Sequence, residues 1–134
     1  MVDGQVHTSD VTDMRILDAM LTIPREIFVP ESKRALAYLD LDLDVSENGT
    51  TKRYLIKPAV LAKMLQAAEI KATDRVLVVG CATGYAAAVA SRFAGEVFAT
   101  ESDPVLVGKA AAALGAAGCG NVRIRVSVTS LVCT

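Results

Sequence analysis

The chain has 134 residues, 52% of them apolar but only 4% aromatic, with no Trp and a formal net charge of −1. That is enough for one domain with a buried core, and an apolar content carried by Ala, Val and Leu suits helices packed on a parallel sheet. Acids and bases are interleaved without a basic block, which argues against a nucleic-acid partner, and the longest uncharged run, residues 76–91, is too short to span a bilayer.

Asp3, His7, Asp10 and Asp13 stand where a secretory signal would place a basic and then an apolar stretch, so a soluble cytoplasmic chain is expected. Residues 9–21 read as a first helix, capped by Ser9 or Asp10, with Val11, Met14, Leu17, Met20 and Leu21 at helical spacing. Pro24 and Pro30 bracket residues 25–29, and residues 31–39 offer a short second helix. Residues 40–52 hold Asp40, Asp42, Asp44 and Glu47; Leu41 and Leu43 interrupt them and no acid closes a calcium loop, so a solvated acidic turn is expected. Pro58 opens the next helix, with Val60, Leu61, Met64, Leu65 and Ala68 as its apolar stripe.

From residue 75 the pattern changes. Residues 75–79 form a continuous apolar run, the mark of a strand buried on both faces. A small-residue loop, 80–84, leads into an Ala-rich helix over 85–93 that Gly95 ends, and residues 96–100 read as a second strand. Asp103 and Pro104 start a helix that runs to about Leu114 and stops at Gly115 and Gly118. Val122, Ile124, Val126 and Val128 alternate with Arg123, Arg125 and Ser127, a third strand with one wet face. The order is a helical lead-in followed by β-α-β-α-β, which calls for an α/β fold with a parallel sheet.

The chemistry concentrates in the loop Gly80-Cys81-Ala82-Thr83-Gly84-Tyr85 and in Glu101. A strand delivers this loop to the carboxyl edge of the sheet, where open α/β folds bind ligands. Gly80 permits the sharp turn, and Gly84 a close approach of the next helix. Glu101 ends the second strand 21 positions after Gly80, the spacing at which an acid accepts hydrogen bonds from ribose hydroxyls. The plain alternative is a tight strand–helix turn beside a helix-start acid. A dinucleotide fingerprint needs Gly where Ala82 and Tyr85 stand, which disfavours a nicotinamide oxidoreductase. No Lys lies between Lys71 and Lys109 to make a P-loop. S-adenosylmethionine, which carries no phosphate, is the nucleoside that suits the loop. Cys81, Cys119 and Cys133 form no CxxC pair, and no metal site or disulfide framework is expected. His7, the sole histidine, reads as a surface residue.

Three stretches carry a resemblance. Residues 20–30, Met-Leu-Thr-Ile-Pro-Arg-Glu-Ile-Phe-Val-Pro, followed by Ala37-Tyr38-Leu39-Asp40, look like the N-terminal signature of protein-L-isoaspartate O-methyltransferases. Lys57-Pro58 with residues 60–65 resembles the helix after that family's active-site loop, and residues 76–85 are similar to its donor-binding motif. The resemblance implies a Rossmann-like S-adenosylmethionine-dependent fold, with Gly80, Cys81, Ala82, Gly84, Tyr85 and Glu101 binding the donor. It implies methyl transfer to the free carboxylate of L-isoaspartyl residues in damaged proteins, as protein repair. A carboxylate is already ionised at neutral pH and needs no base, so no catalytic residue is assigned.

The departures from the family pattern are Tyr54 and Ile56, where the active-site loop usually carries Thr and Ser, and Val78, where an acid is common. After the third strand the family continues, whereas this chain reads Ser127 to Thr134 and stops. The expectation is therefore a single methyltransferase-like domain over 1–134, with a helical region at 1–57, a βαβαβ core at 58–128 and a tail at 129–134, incomplete at its C-terminus. An uncovered sheet edge would then favour self-association. The alternative is a truncated, inactive domain that acts only by association.

Overall fold

The computed structural model describes residues 1–6, 10–39, 41–46 and 52–127. Its lead-in is helical, with shifted bounds. A single π turn, Val2–Val6, precedes α1 (Met14–Thr22). Asp13 caps α1 by accepting the Arg15 N–H at 2.9 Å; Asp10 takes a left-handed φ of 66°, and Ser9 lies outside the described residues. The later start has a tertiary cause. Gln66 Oε1 accepts the N–H groups of Thr12 (2.8 Å) and Asp13 (3.0 Å), holding them ahead of the helix. Ile16, Leu17, Ala19 and Met20 are buried, while Met14 and Leu21 face out.

The second helix expected over 31–39 is instead a 3₁₀ segment, Glu31–Leu36, and the proline-bracketed stretch before it holds another, Arg25–Phe28. Glu31–Leu36 buries no side chain, so no packing extends it beyond short i→i+3 turns. The acidic stretch holds a hairpin that the sequence did not announce. β1 (Leu43–Asp44) pairs antiparallel with β2 (Tyr54–Leu55), burying Leu43 and Leu55. Asp44 accepts from the Ser46 N–H at 2.9 Å and its hydroxyl, and pairs with Lys52 at 3.3 Å. Asp40 and residues 47–51 lie outside the described residues.

α2 (Pro58–Ala68) opens on Pro58 as expected, but Met64 and Ala68 are exposed and the burial falls on Leu61 and Ala62. β3 (Arg75–Val79), α3 (Tyr85–Ser91), β4 (Glu96–Glu101), α4 (Pro104–Ala116) and β5 (Val122–Val126) follow in the expected order. The strands run parallel in the order β3-β4-β5, with Arg75 opposite Glu96 and Val97 opposite Val122. Asp103 caps α4 through the Val105 N–H at 2.9 Å. Gly115, expected to stop α4, lies inside it, and the left-handed turn comes at Gly118. Gly95 carries the tightest approach in the frame, since a Cβ there would stand 2.8 Å from the Ala72 carbonyl oxygen.

One face of the sheet is packed. Val97 and Ala99, with Val76, Val78, Val122 and Ile124 beside them, meet Ala87 and Ala90 of α3 and Ala110 of α4. The other face is open among the described residues. β3 is therefore not buried on both faces as its apolar run predicts: Leu77 is 56% and Val79 53% exposed. Glu96 bridges Arg75 (3.9 Å) and Arg123 (3.4 Å). Among the described residues β3 pairs only with β4, so its outer edge is free. Among the described residues no helix is long and apolar enough to cross a membrane.

Candidate functional site

The loop leaving β3 folds by alternating backbone handedness. Gly80 (φ +67°), Ala82 (+52°) and Gly84 (+97°) all take left-handed conformations. Glycine adopts this at no steric cost, whereas Ala82 is strained by roughly 1–2 kcal/mol. The Ala82 N–H donates to Glu101 Oε1 at 3.0 Å, which holds it there. The Cys81 N–H donates to the Thr100 carbonyl at 2.9 Å, so the loop continues the β3–β4 pairing for one residue before it turns. A Cβ on Gly84 would meet the Leu114 side chain at 3.3 Å; the close approach expected there is to α4.

Glu101 ends β4 fully buried. Oε1 accepts from Ala82 N–H and from Arg53 Nε, each at 3.0 Å; Oε2 accepts from Asp103 N–H at 3.0 Å and from the Ser102 hydroxyl at 3.4 Å. Arg53 Nη2 also donates to Ser102 Oγ at 3.0 Å. One carboxylate thus joins the loop, the start of α4 and the hairpin. Burial, and after it the charge of Glu101, push the Cys81 thiol up to about 12.

Behind the loop stands the segment between the two prolines. The Thr83 hydroxyl donates to the Phe28 carbonyl at 2.6 Å, and the Phe28 and Tyr85 rings meet edge to face at 5.6 Å. Arg25 is fully buried and its guanidinium lies 4.7 Å over the Tyr85 ring. It donates to the Ala37 carbonyl at 2.7 Å and to the Ile56 carbonyl at 3.2 Å. Burial raises the Tyr85 hydroxyl pKa, and the neighbouring Arg25 offsets part of the rise.

A cavity of about 200 Å³ opens on the loop, lined by Gly80, Cys81, Ala82 and Tyr85 on one side and Tyr54, Leu55 and Ile56 on the other. Of the residues singled out in the sequence, these four loop members line it. Gly84 packs against α4, and Glu101 lies behind Ala82 and Arg53. A larger cavity of about 370 Å³ between residues 27–31 and α4 shares only Thr83 with the loop. The sequence reading missed Arg53, Arg25 and Thr83. Arg25 and Glu26 are adjacent charges in the otherwise apolar neighbourhood of Ile23, Ile27, Phe28 and Val29, and nothing in the sequence marks Arg25 as the buried one. Among the described residues no cluster of His, Cys, Asp or Glu could hold a metal.

A β-α-β-α-β run with parallel strands, a small-residue loop after its first strand and an acid ending its second belongs to the Rossmann-like methyltransferase class. A solved protein-L-isoaspartate O-methyltransferase matches it with a TM-score of 0.82 at 29% identity, over 90% of this chain and 39% of that one. A Plasmodium falciparum relative, solved in complex with S-adenosyl-L-homocysteine, shares the fold with a TM-score of 0.73 at 17% identity, over 90% of this chain and 58% of that one. The family model described as Protein-L-isoaspartate(D-aspartate) O-methyltransferase matches residues 2–129, and the chain belongs to that family. Protein-L-isoaspartate O-methyltransferase 1 of Rhodopseudomonas palustris (strain HaA2) is 42% identical over 125 residues, 93% of this chain and 49% of the relative. The chain spans about half the length of the curated relatives it matches.

Proposed function

We propose that this chain binds S-adenosylmethionine at the 80–85 loop and belongs to an enzyme that methylates the free carboxylate of L-isoaspartyl residues in damaged proteins. The observation that carries the reading is the closure of the loop on Glu101, through the 3.0 Å bond from Ala82 N–H. Gly80, Cys81, Ala82 and Tyr85 form the wall of the donor site, Gly84 sets the angle of α3, and Glu101 is the ribose acceptor. The lining of the 200 Å³ cavity fits the sulfonium end of such a ligand, since no charged side chain there repels a cation, while Glu101 lies outside the lining and is covered by Arg53. When bound, the donor supplies an electrophilic methyl group.

The chain's own task is alignment. An isoaspartyl carboxylate, with an ordinary pKa near 4, is ionised at neutral pH and attacks without losing a proton to the protein. Holding nucleophile and methyl group in line accounts for several kcal/mol of barrier lowering when the geometry is tight. Tyr54 and Ile56 flank the cavity, so a substrate carboxylate entering there meets an aromatic hydroxyl and an apolar wall. The cytoplasm, where unpaired thiols stay reduced, is the compartment that suits the reading.

Calorimetric titration with S-adenosylhomocysteine tests this: a micromolar signal is expected, and silence from the wild type and from folded Arg53→Ala and Arg53→Gln variants alike removes the donor reading. Glu101→Gln, which keeps the shape but loses charge-assisted acceptance, should weaken binding by about tenfold or more. Unchanged affinity would remove the acid from the site.

A second reading rests on the free edge of β3 and the exposed Leu77 and Val79, which favour self-association through strand pairing. Concentration-dependent sedimentation tests it; a monomer at every concentration rejects it.

A further inference from the structure

Glu101 has no acceptor position left. A carboxylate offers roughly four lone-pair positions, and four donors occupy them: two backbone N–H groups, Arg53 Nε and the Ser102 hydroxyl. A ribose diol needs two of them. The N–H groups of Ala82 and Asp103 belong to the loop and to the turn before α4, and releasing them would dismantle both. The Arg53 and Ser102 contacts are made by side chains, and those two side chains are themselves bonded at 3.0 Å. They form one removable unit.

Arg53 is placed to leave. It rides on the hairpin, where its carbonyl accepts the Val45 N–H at 2.9 Å, and not on the parallel sheet. Its side chain is a quarter exposed, whereas the Glu101 side chain it covers is fully buried. Its remaining contact, from Nη1 to the Lys52 carbonyl at 3.0 Å, lies within the same segment and travels with it.

From this geometry we infer that Arg53 is a determinant of donor affinity, a latch on Glu101 that a nucleoside with free 2′- and 3′-hydroxyls must displace. The inference rests on the donor site proposed above. The closed form binds no ribose, so the measured affinity falls by the fraction of molecules that are open. Two substitutions remove the latch. Arg53→Ala deletes the guanidinium; Arg53→Gln keeps part of the stem and a neutral donor, and carries the test where the alanine variant folds poorly. Thermal melting establishes which variants are folded.

The measurement is calorimetric titration of wild type and variants with S-adenosylhomocysteine and with its 2′-deoxy counterpart. Tighter binding of S-adenosylhomocysteine by about tenfold in a folded variant is expected, with a gain of threefold or less for the deoxy ligand, which lacks one of the displacing hydroxyls. Binding by a folded variant when the wild type is silent supports the latch as well. Equal or weaker binding by the variants, beside a wild type that binds, overturns the latch and leaves the donor site standing. Silence in every protein removes the donor site and the latch with it.

Discussion

The two faces of the three-stranded sheet come from the same fifteen or so residues and meet opposite fates. On one, Val97 and Ala99 are buried under the alanines of α3 and α4; on the other, Leu77 and Val79 stand more than half exposed between Arg75, Glu96 and Arg123. Composition does not separate them, because β3 is apolar at every position from Val76 to Val79. What separates them is whether a helix follows the strand onto that side. Both crossovers, through α3 and α4, place their helices on the packed side. A strand's hydrophobicity thus states how many covers it is suited to, and the structure states how many it has.

The sharpest way to break this comparison is to place one charge on each face. Val97→Lys should unfold the chain or cost more than about 4 kcal/mol, because an ammonium between β4 and the Ala-rich helices has no partner. Leu77→Lys, one strand away, should change stability by no more than about 0.5 kcal/mol and lower any self-association. Urea denaturation and sedimentation check the pair, and equal losses would refute the asymmetry. The glycines of the loop sharpen it next. Gly84→Ala adds a Cβ 3.3 Å from Leu114 at a left-handed φ and should cost about 2–3 kcal/mol; Gly80→Ala, with open space around it, should cost only the backbone strain of about 1 kcal/mol. Thermal melts rank the two.

A smaller effect is chemical. The buried Cys81 thiol, pushed up to about 12, should react with an aromatic disulfide reagent at pH 8 far more slowly than the only partly buried Cys119. Mass spectrometry of the modified peptides reads the order. Smallest is the hairpin. The Ser46 hydroxyl, its N–H and then Lys52 hold the Asp44 carboxyl at about 2, below its ordinary 3.8. Its contribution is therefore present above pH 4 and fades as pH falls toward 2. Asp44→Asn should flatten the wild-type decline in melting temperature across that window, and an unaltered slope would count against the assignment.

The core of the fold was legible because β-α-β-α-β depends on local pattern: Asp103-Pro104 at the start of α4 and Pro58 at the start of α2 stand where expected, whereas the alternation in β5 holds only from Val122 to Arg125, since Val126 is exposed and Val128 lies outside the described residues. The lead-in was less legible, since its boundaries answer to distant partners. Gln66 delays α1, and β1 and β2 pair across an acidic stretch that looked only solvated. At the site, the loop and the position of Glu101 were readable from spacing. That the acid would be enclosed by Arg53 was not, because the two are 48 positions apart. Nor was the left-handed Ala82, since an alanine by itself gives no sign of that backbone.

The bond from Thr83 to the Phe28 carbonyl spans 55 positions of the chain. A turn of a few residues that needs so distant a partner matures only after a long closure, and closures of that span slow folding. A fragment beginning at Pro58 would keep all three parallel strands yet lack the brace behind the 80–84 loop. The turn after β3 is therefore completed by the docking of the chain's beginning onto its middle.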